Sequence, residues 1–121
     1  MTQHYFTGWD IGGAHLKVAQ TSAEGELNNV FQLACPLWLG LSKLAESIES
    51  ALDTLQQPNQ HHAITMTGEL VDLFPNRQAG VHAIVDCVLQ HLPEQYCHFY
   101  AGQDQWLNAK QAKQQWQMIA S

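Results

Sequence analysis

From Tyr5 to Trp38 apolar residues recur at close to every second position, and from Gly40 onward they recur at helical spacing, broken by short β-branched runs. That change of rhythm constrains the fold more than any other feature, because a period of two belongs to strands and a period of 3.6 to helices. Tyr5 to Ile11 is aromatic and β-branched and stops at Gly12-Gly13, which reads as strand and turn. His15 to Thr21 resumes the alternation at Leu16 and Val18, and Glu24-Gly25-Glu26 supplies a second turn in which Gly25 can take a positive φ. Over residues 28–38, Val30, Leu33, Cys35 and Leu37 keep mostly period-two spacing with Phe31 out of step, and Pro36 limits central pairing. Three strands joined by short turns predict an antiparallel meander.

Beyond Gly40, Leu41, Leu44, Ala45, Ile48, Leu52 and Leu55 fall on one helical face, with Lys43, Glu46, Glu49 and Ser50 outside it. Gln56-Gln57-Pro58-Asn59 stops that helix. Residues 62–67 form an apolar, β-branched run entering Gly68, a fourth strand expected to lie parallel to the first because a helix separates it from the meander. Val81, Ile84, Val85, Val88, Leu89 and Leu92 predict a second helix closed by Pro93, and residues 96–101 a fifth strand ending at Gly102. Residues 108–118 predict a weaker third helix with Asn108 as its N-cap and Ala109, Ala112 and Trp116 on one side. The order is βββαβαβα, an α/β arrangement expected to give a mixed five-stranded sheet with helices on both faces. It resembles the layout of the ribonuclease H-like fold, which also forms each lobe of the actin, sugar-kinase and Hsp70 superfamily. With 121 residues, 45% of them apolar, the chain can build one packed core and not two, so residues 1–121 read as a single lobe.

The net charge is −6, and the five Lys and Arg residues are scattered. Neither a nucleic-acid footprint nor a basic membrane-binding patch is expected from such a surface. No apolar run approaches the ~20 residues of a membrane-spanning helix, and the first residues lack the basic start and apolar stretch of a signal peptide. Cys35, Cys87 and Cys97 are odd in number and widely spaced, which suits buried, reduced thiols and a cytoplasmic location. His61 and His62 are adjacent and should face opposite sides of a strand, and no cysteine sits at ligand spacing, so a zinc site is not expected. No nucleophile motif for a Ser-His-Asp hydrolase is present.

The chemical signal lies at Asp10-x-Gly12-Gly13-x-x-x-Lys17 on the first strand pair. A phosphate site between two strands needs backbone N–H groups that no Cβ obstructs, which Gly12 and Gly13 allow. A carboxylate at the strand end, Asp10, can hold Mg²⁺ through water. A lysine returning on the next strand, Lys17, can neutralise phosphate oxygens as a compact charge. An ordinary double-glycine hairpin with an exposed lysine is the plainer alternative, although Asp10 in an apolar strand then needs a partner. His15 reads as solvent-facing or hydrogen-bonded.

The second signal is Thr65-Met66-Thr67-Gly68-Glu69-Leu70-Val71-Asp72, continuing to Arg77. It follows the fourth strand, where open α/β sheets collect ligands. Thr67 and Gly68 can offer a hydroxyl and N–H groups, Glu69 and Asp72 can ligate a metal or accept a substrate amine, and Glu69 can share one Mg²⁺ with Asp10. Arg77 can grip a phosphate or carboxylate. An ordinary strand-to-helix loop, with Asp72 capping a turn and Arg77 in solvent, is the alternative.

Gly8-Trp9-Asp10-Ile11-Gly12-Gly13-Ala14-His15-Leu16-Lys17, Cys35-Pro36-Leu37-Trp38 and Thr65 to Asp72, with Asn76-Arg77 and Gly80-Val81, together resemble the N-terminal part of a hydantoinase/oxoprolinase-related family. Its members include tetrahydromethanopterin-linked C1 transfer pathway proteins and the methanofuran-biosynthesis enzymes that join a furan-methanol diphosphate to γ-glutamyltyramine. The resemblance implies a transferase of alkyl or aryl groups that forms an ether and releases diphosphate. Mg²⁺ on Asp10 and Glu69 and the cation of Lys17 would stabilise the leaving group. Glu69 is then a candidate base, and Gly12, Gly13, Lys17, Thr67, Gly68 and Arg77 would hold phosphate. Family members continue into a second lobe with the ligand between lobes, so a partner lobe or self-association involving Trp106 or Trp116 is expected, and the isolated lobe should show little catalysis. Two other readings stay open: an ATP-dependent kinase or ATPase lobe of the same superfamily, and a non-catalytic interaction domain.

Overall fold

The structure, a computed structural model, describes residues 5–22, 24–55 and 60–120. Six strands, β1 (Tyr5–Ile11), β2 (His15–Thr21), β3 (Leu27–Ala34), β4 (Gln60–Met66), β5 (Cys97–Tyr100) and β6 (Trp106–Leu107), form one sheet in the order β3-β2-β1-β4-β5-β6. β1, β2 and β3 make the antiparallel meander, and β4 and β5 continue the sheet parallel to β1. The helices are α1 (Leu41–Leu55), α2 (Arg77–Leu89) and α3 (Ala109–Gln114). The expected end of α1 at Gln56-Gln57-Pro58-Asn59 lies outside the described residues.

Alternation along the strands decides which face is buried. Trp9 and Ile11 of β1, Leu16 and Val18 of β2, Ile64 and Met66 of β4 and Phe99 of β5 are almost wholly excluded from solvent. They join one core with Leu44, Ile48 and Ala51 of α1, Val81, Ile84, Val85 and Val88 of α2, and Ala109 and Ala112 of α3. α2 packs between α1 and α3, so the three helices form one layer on one face of the sheet.

Two expectations are corrected here. Helices on both faces are not found among the described residues. Each of β4 and β5 is reached from its parallel neighbour by a connection that passes over the same side, and right-handed crossovers in one direction stack their helices together. The sheet has six strands rather than five, because Gly102, Gln103 and Asp104 all take positive φ and fold Trp106–Leu107 back beside β5.

Smaller differences have local causes. Phe31 and Leu33 face the helices because the register sets them opposite Val18 and Leu16, which leaves Val30 outward and 62% exposed. β3 ends at Ala34, before Pro36, and a 3-10 turn at Leu37–Leu39 leads into α1. α2 starts at Arg77, four residues earlier than the apolar periodicity predicts, because the Asn76 side chain accepts from the Ala79 N–H at 2.8 Å and caps it. Asn108 caps α3 as expected, in a reciprocal capping box with Gln111, and the helix proper ends at Gln114. Gly25 takes the positive φ of its turn. No helix among the described residues is long and apolar enough to cross a membrane.

Candidate functional site

Asp10 and Lys17 are register partners across β1 and β2, and strand alternation puts both on the face that no helix covers. They line one hollow of about 490 Å³ together with Gln32, Thr65, Val30 and Trp106. The hollow is floored by small residues, since Ala19, Gly8 and Ala63 lie side by side on neighbouring strands. Asp10 and Lys17 make no ion pair with each other. The partner that a carboxylate in an apolar strand needs is Thr65, whose hydroxyl donates to Asp10 Oδ1 at 3.3 Å. No spacing in the sequence sets Thr65 beside Asp10 or brings Trp106 to the same hollow. The strand-four register and the β5–β6 hairpin bring them in.

The glycine turn meets the loop after β4 beyond the carboxyl end of β1. Gly12 closes the first hairpin by donating to the carbonyl of His15 at 3.0 Å, and Thr67 donates to the carbonyl of Ile11 at 2.9 Å. Residues Gly68–Leu70 then form a 3-10 turn. Here the glycines serve close approach: a Cβ on Gly13 would lie 2.5 Å from Val71 Cγ1, and one on Gly68 would lie 2.8 Å from Leu37 Cδ2 and 3.3 Å from the carbonyl oxygen of Gly12. The two loops are therefore locked together, as the adjacency of β1 and β4 predicts. Among the described residues, the N–H groups of Gly13, Ala14, Gly68 and Glu69 have no acceptor. Gly68 and Glu69 are buried, and a buried backbone donor without a partner is uncommon enough to call for an explanation.

The side chains of Glu69 and Arg77 do not join this cluster. Glu69 is 4% exposed and lies beneath Gly80 of α2, where Oε2 accepts from Arg77 Nε at 3.2 Å. The other two guanidinium nitrogens donate to the carbonyls of Gln117 and Ile119. Two expectations change. Arg77 is committed to three acceptors of its own chain and is not presented to an anion. Glu69 is drawn under α2 by its counter-charge while Asp10 looks out from the open face, so the two carboxylates do not converge on a metal. Among the described residues no group of three or more His, Cys, Asp or Glu side chains can hold a metal ion. Mg²⁺ fits only in the weaker sense that it keeps most of its water and can bind one carboxylate plus ligand phosphate, which leaves Asp10 as the protein's contribution. Asp72 is exposed and caps nothing among the described residues; the cap of α2 is Asn76.

Cys35, Cys87 and Cys97 are buried free thiols. Burial pushes Cys87 up to about 11 and Cys97 up to about 12, which leaves both protonated and unreactive at neutral pH. His61 and His62 do face opposite sides of β4. His61 stacks on Phe6 on the open face, and His62 is buried against Trp9.

No protein-family model matches the chain, and no curated protein matches it. Among solved structures it is similar to glucokinase from Balamuthia mandrillaris in complex with glucose, at 20% identity and a TM-score of 0.41 over 52% of this chain and 18% of that one. It is also similar to the Aquifex aeolicus member of the Ppx/GppA family, at 17% identity and a TM-score of 0.38 over 78% of this chain and 37% of that one. The type II variant of the Aquifex aeolicus Ppx/GppA phosphatase gives 12% identity and a TM-score of 0.40, over 76% and 37%. The chain thus spans well under half the length of each of these structures. The fold itself is a mixed α/β sheet layered on three helices, with its polar corner at the carboxyl ends of β1 and β4.

Proposed function

We propose that this corner binds the phosphate or diphosphate group of a small molecule, as one lobe of a ribonuclease H-like, actin and sugar-kinase type protein. The observation that carries the reading is the set of four N–H groups without acceptors, among the described residues, where the Gly12-Gly13 turn meets Gly68 and Glu69. Such groups are what a backbone cradle for an anion requires. Lys17 supplies the mobile positive charge, and Thr67 offers its hydroxyl. Asp10 would hold Mg²⁺ through water when the ligand brings phosphate oxygens to complete the shell; the metal's part would be to neutralise charge on the phosphate. The carboxylate of Glu69 and the guanidinium of Arg77 are left out of ligand contact.

On the resemblance of its motifs, the reaction we assign to the complete protein is ether formation with release of diphosphate in one-carbon cofactor biosynthesis. Lys17 would stabilise charge developing on the departing diphosphate. The ligand would then be enclosed by a partner, either a second lobe or another copy of the chain. The uncovered sheet face supports this, with Phe6 48%, Val30 62% and Trp106 46% exposed.

Calorimetric titration tests the ligand class. Inorganic diphosphate with Mg²⁺ should bind, and Lys17→Met should weaken it by about tenfold, the loss of one charge-assisted contact. Binding of ATP with no binding of diphosphate would favour the kinase reading, and binding of neither would leave an interaction domain.

A further inference from the structure

The carboxylate of Glu69 and the guanidinium of Arg77 are charged groups of the corner that the proposed site does not use, and both are engaged within the chain. Arg77 Nε donates to Glu69 Oε2 at 3.2 Å, and its terminal nitrogens donate to the carbonyl of Gln117 at 3.1 Å and to that of Ile119. The next residue, Ala120, accepts from the Met66 N–H at 3.3 Å and donates to the Tyr100 carbonyl at 3.0 Å. Residues 117–120 are thereby seated between the carboxyl ends of β4 and β5. A single guanidinium joins that segment to the turn following β4.

Glu69 has little freedom to release this contact. A Cβ on Gly80 would lie 2.8 Å from the Glu69 carbonyl oxygen, so α2 is already pressed against it. Its second carboxylate oxygen, Oε1, is buried and has no donor among the described residues, so Arg77 is its sole counter-charge there. A buried carboxylate that loses such a partner is strongly disfavoured where it lies and must move. Movement of Glu69 carries the 3-10 turn with it, where Leu70 donates to Thr67 and Val71 to Gly68.

We propose that Glu69 and Arg77 form a clasp through which the seating of residues 117–120 sets the position of the Thr67–Gly68 backbone against the glycine turn. Arg77 is on this view a positioning residue. Where the inference concerns ligand affinity, it rests on the reading of the corner as an anion site.

The variant that tests it is Arg77→Lys, which keeps a cation for Glu69 and gives up the planar fork that holds two carbonyls. Hydrogen exchange in the folded variant should quicken by about tenfold at Ala120 and, together with it, at Leu70 and Val71, while β2 amides are unchanged. Quickening at Ala120 alone, or at none of these positions, overturns the clasp. Affinity of the folded variant for inorganic diphosphate with Mg²⁺ should fall by a similar factor, although the substituted side chain touches no ligand. Unchanged affinity beside a loosened segment would also overturn the positioning role. A wild-type chain that binds no diphosphate would sink the anion reading alone, and the exchange data would still decide the clasp.

Discussion

The indole N–H of Trp9 donates to His62 Nδ1 at 2.9 Å, and because indole is only a donor, that nitrogen carries no proton. His62 is 3% exposed. Burial, reinforced by the neighbouring His61 and His98, lowers its pKa to about 4 from the usual 6.5. The unfolded chain therefore takes up a proton as pH falls below 6.5 that the folded chain refuses until about 4. The associated stability is complete above pH 6.5 and is lost on acidification through that window, amounting to about 3 kcal/mol. His62→Gln keeps an acceptor for Trp9 without a titrating group. Its unfolding free energy should depend much less on pH between 4 and 6.5 than that of the wild type, and an unchanged slope in chemical denaturation would refute the assignment.

At the level of elements, α2 is fixed by how closely it approaches the turn after β4. The Gly80 position meets backbone, with a Cβ placed 2.8 Å from the Glu69 carbonyl oxygen, whereas at Gly13 the obstacle is one methyl of Val71. Backbone cannot swing aside as a side chain can. Gly80→Ala should therefore cost about 1–3 kcal/mol, and Gly13→Ala distinctly less, by denaturant titration. Equal costs would show that α2 can retreat without strain. The same packing explains why the periodicity of Val81, Ile84, Val85 and Val88 is readable in the sequence while the start of the helix is not. The first turn is set by Asn76 and by the acceptors of Arg77, and neither leaves an apolar signature. β4 and its parallel pairing to β1 are legible because a short β-branched run enters Gly68 and a helix separates it from the meander. β6 is not legible, because two residues paired after a turn with positive φ at Gln103 and Asp104 give no period.

For the whole molecule, sequence reasoning places the two loops correctly in space and misjudges their electrostatics. The order of elements brings Gly12, Gly13, Thr67 and Gly68 together, since β1 and β4 are neighbours. Nothing in the spacing of Glu69 and Arg77 reveals that they satisfy each other, or that the guanidinium reaches the distant carbonyls of Gln117 and Ile119. The single helical layer is also hidden, because crossover direction depends on strand order rather than on any local pattern. Its consequence is the bare face that carries Asp10, Lys17 and Trp106, over which a partner would close the hollow of about 490 Å³.

An anion held by the backbone where the first hairpin bends against the turn after β4 is the central expectation for this chain. Amide chemical shifts of the chain titrated with inorganic diphosphate and Mg²⁺ measure this residue by residue. Saturable shifts should concentrate at Gly13, Ala14, Gly68 and Glu69, with Lys17 nearby and little change in α3. No shifts at these amides, or shifts gathered elsewhere on the sheet, would contradict it.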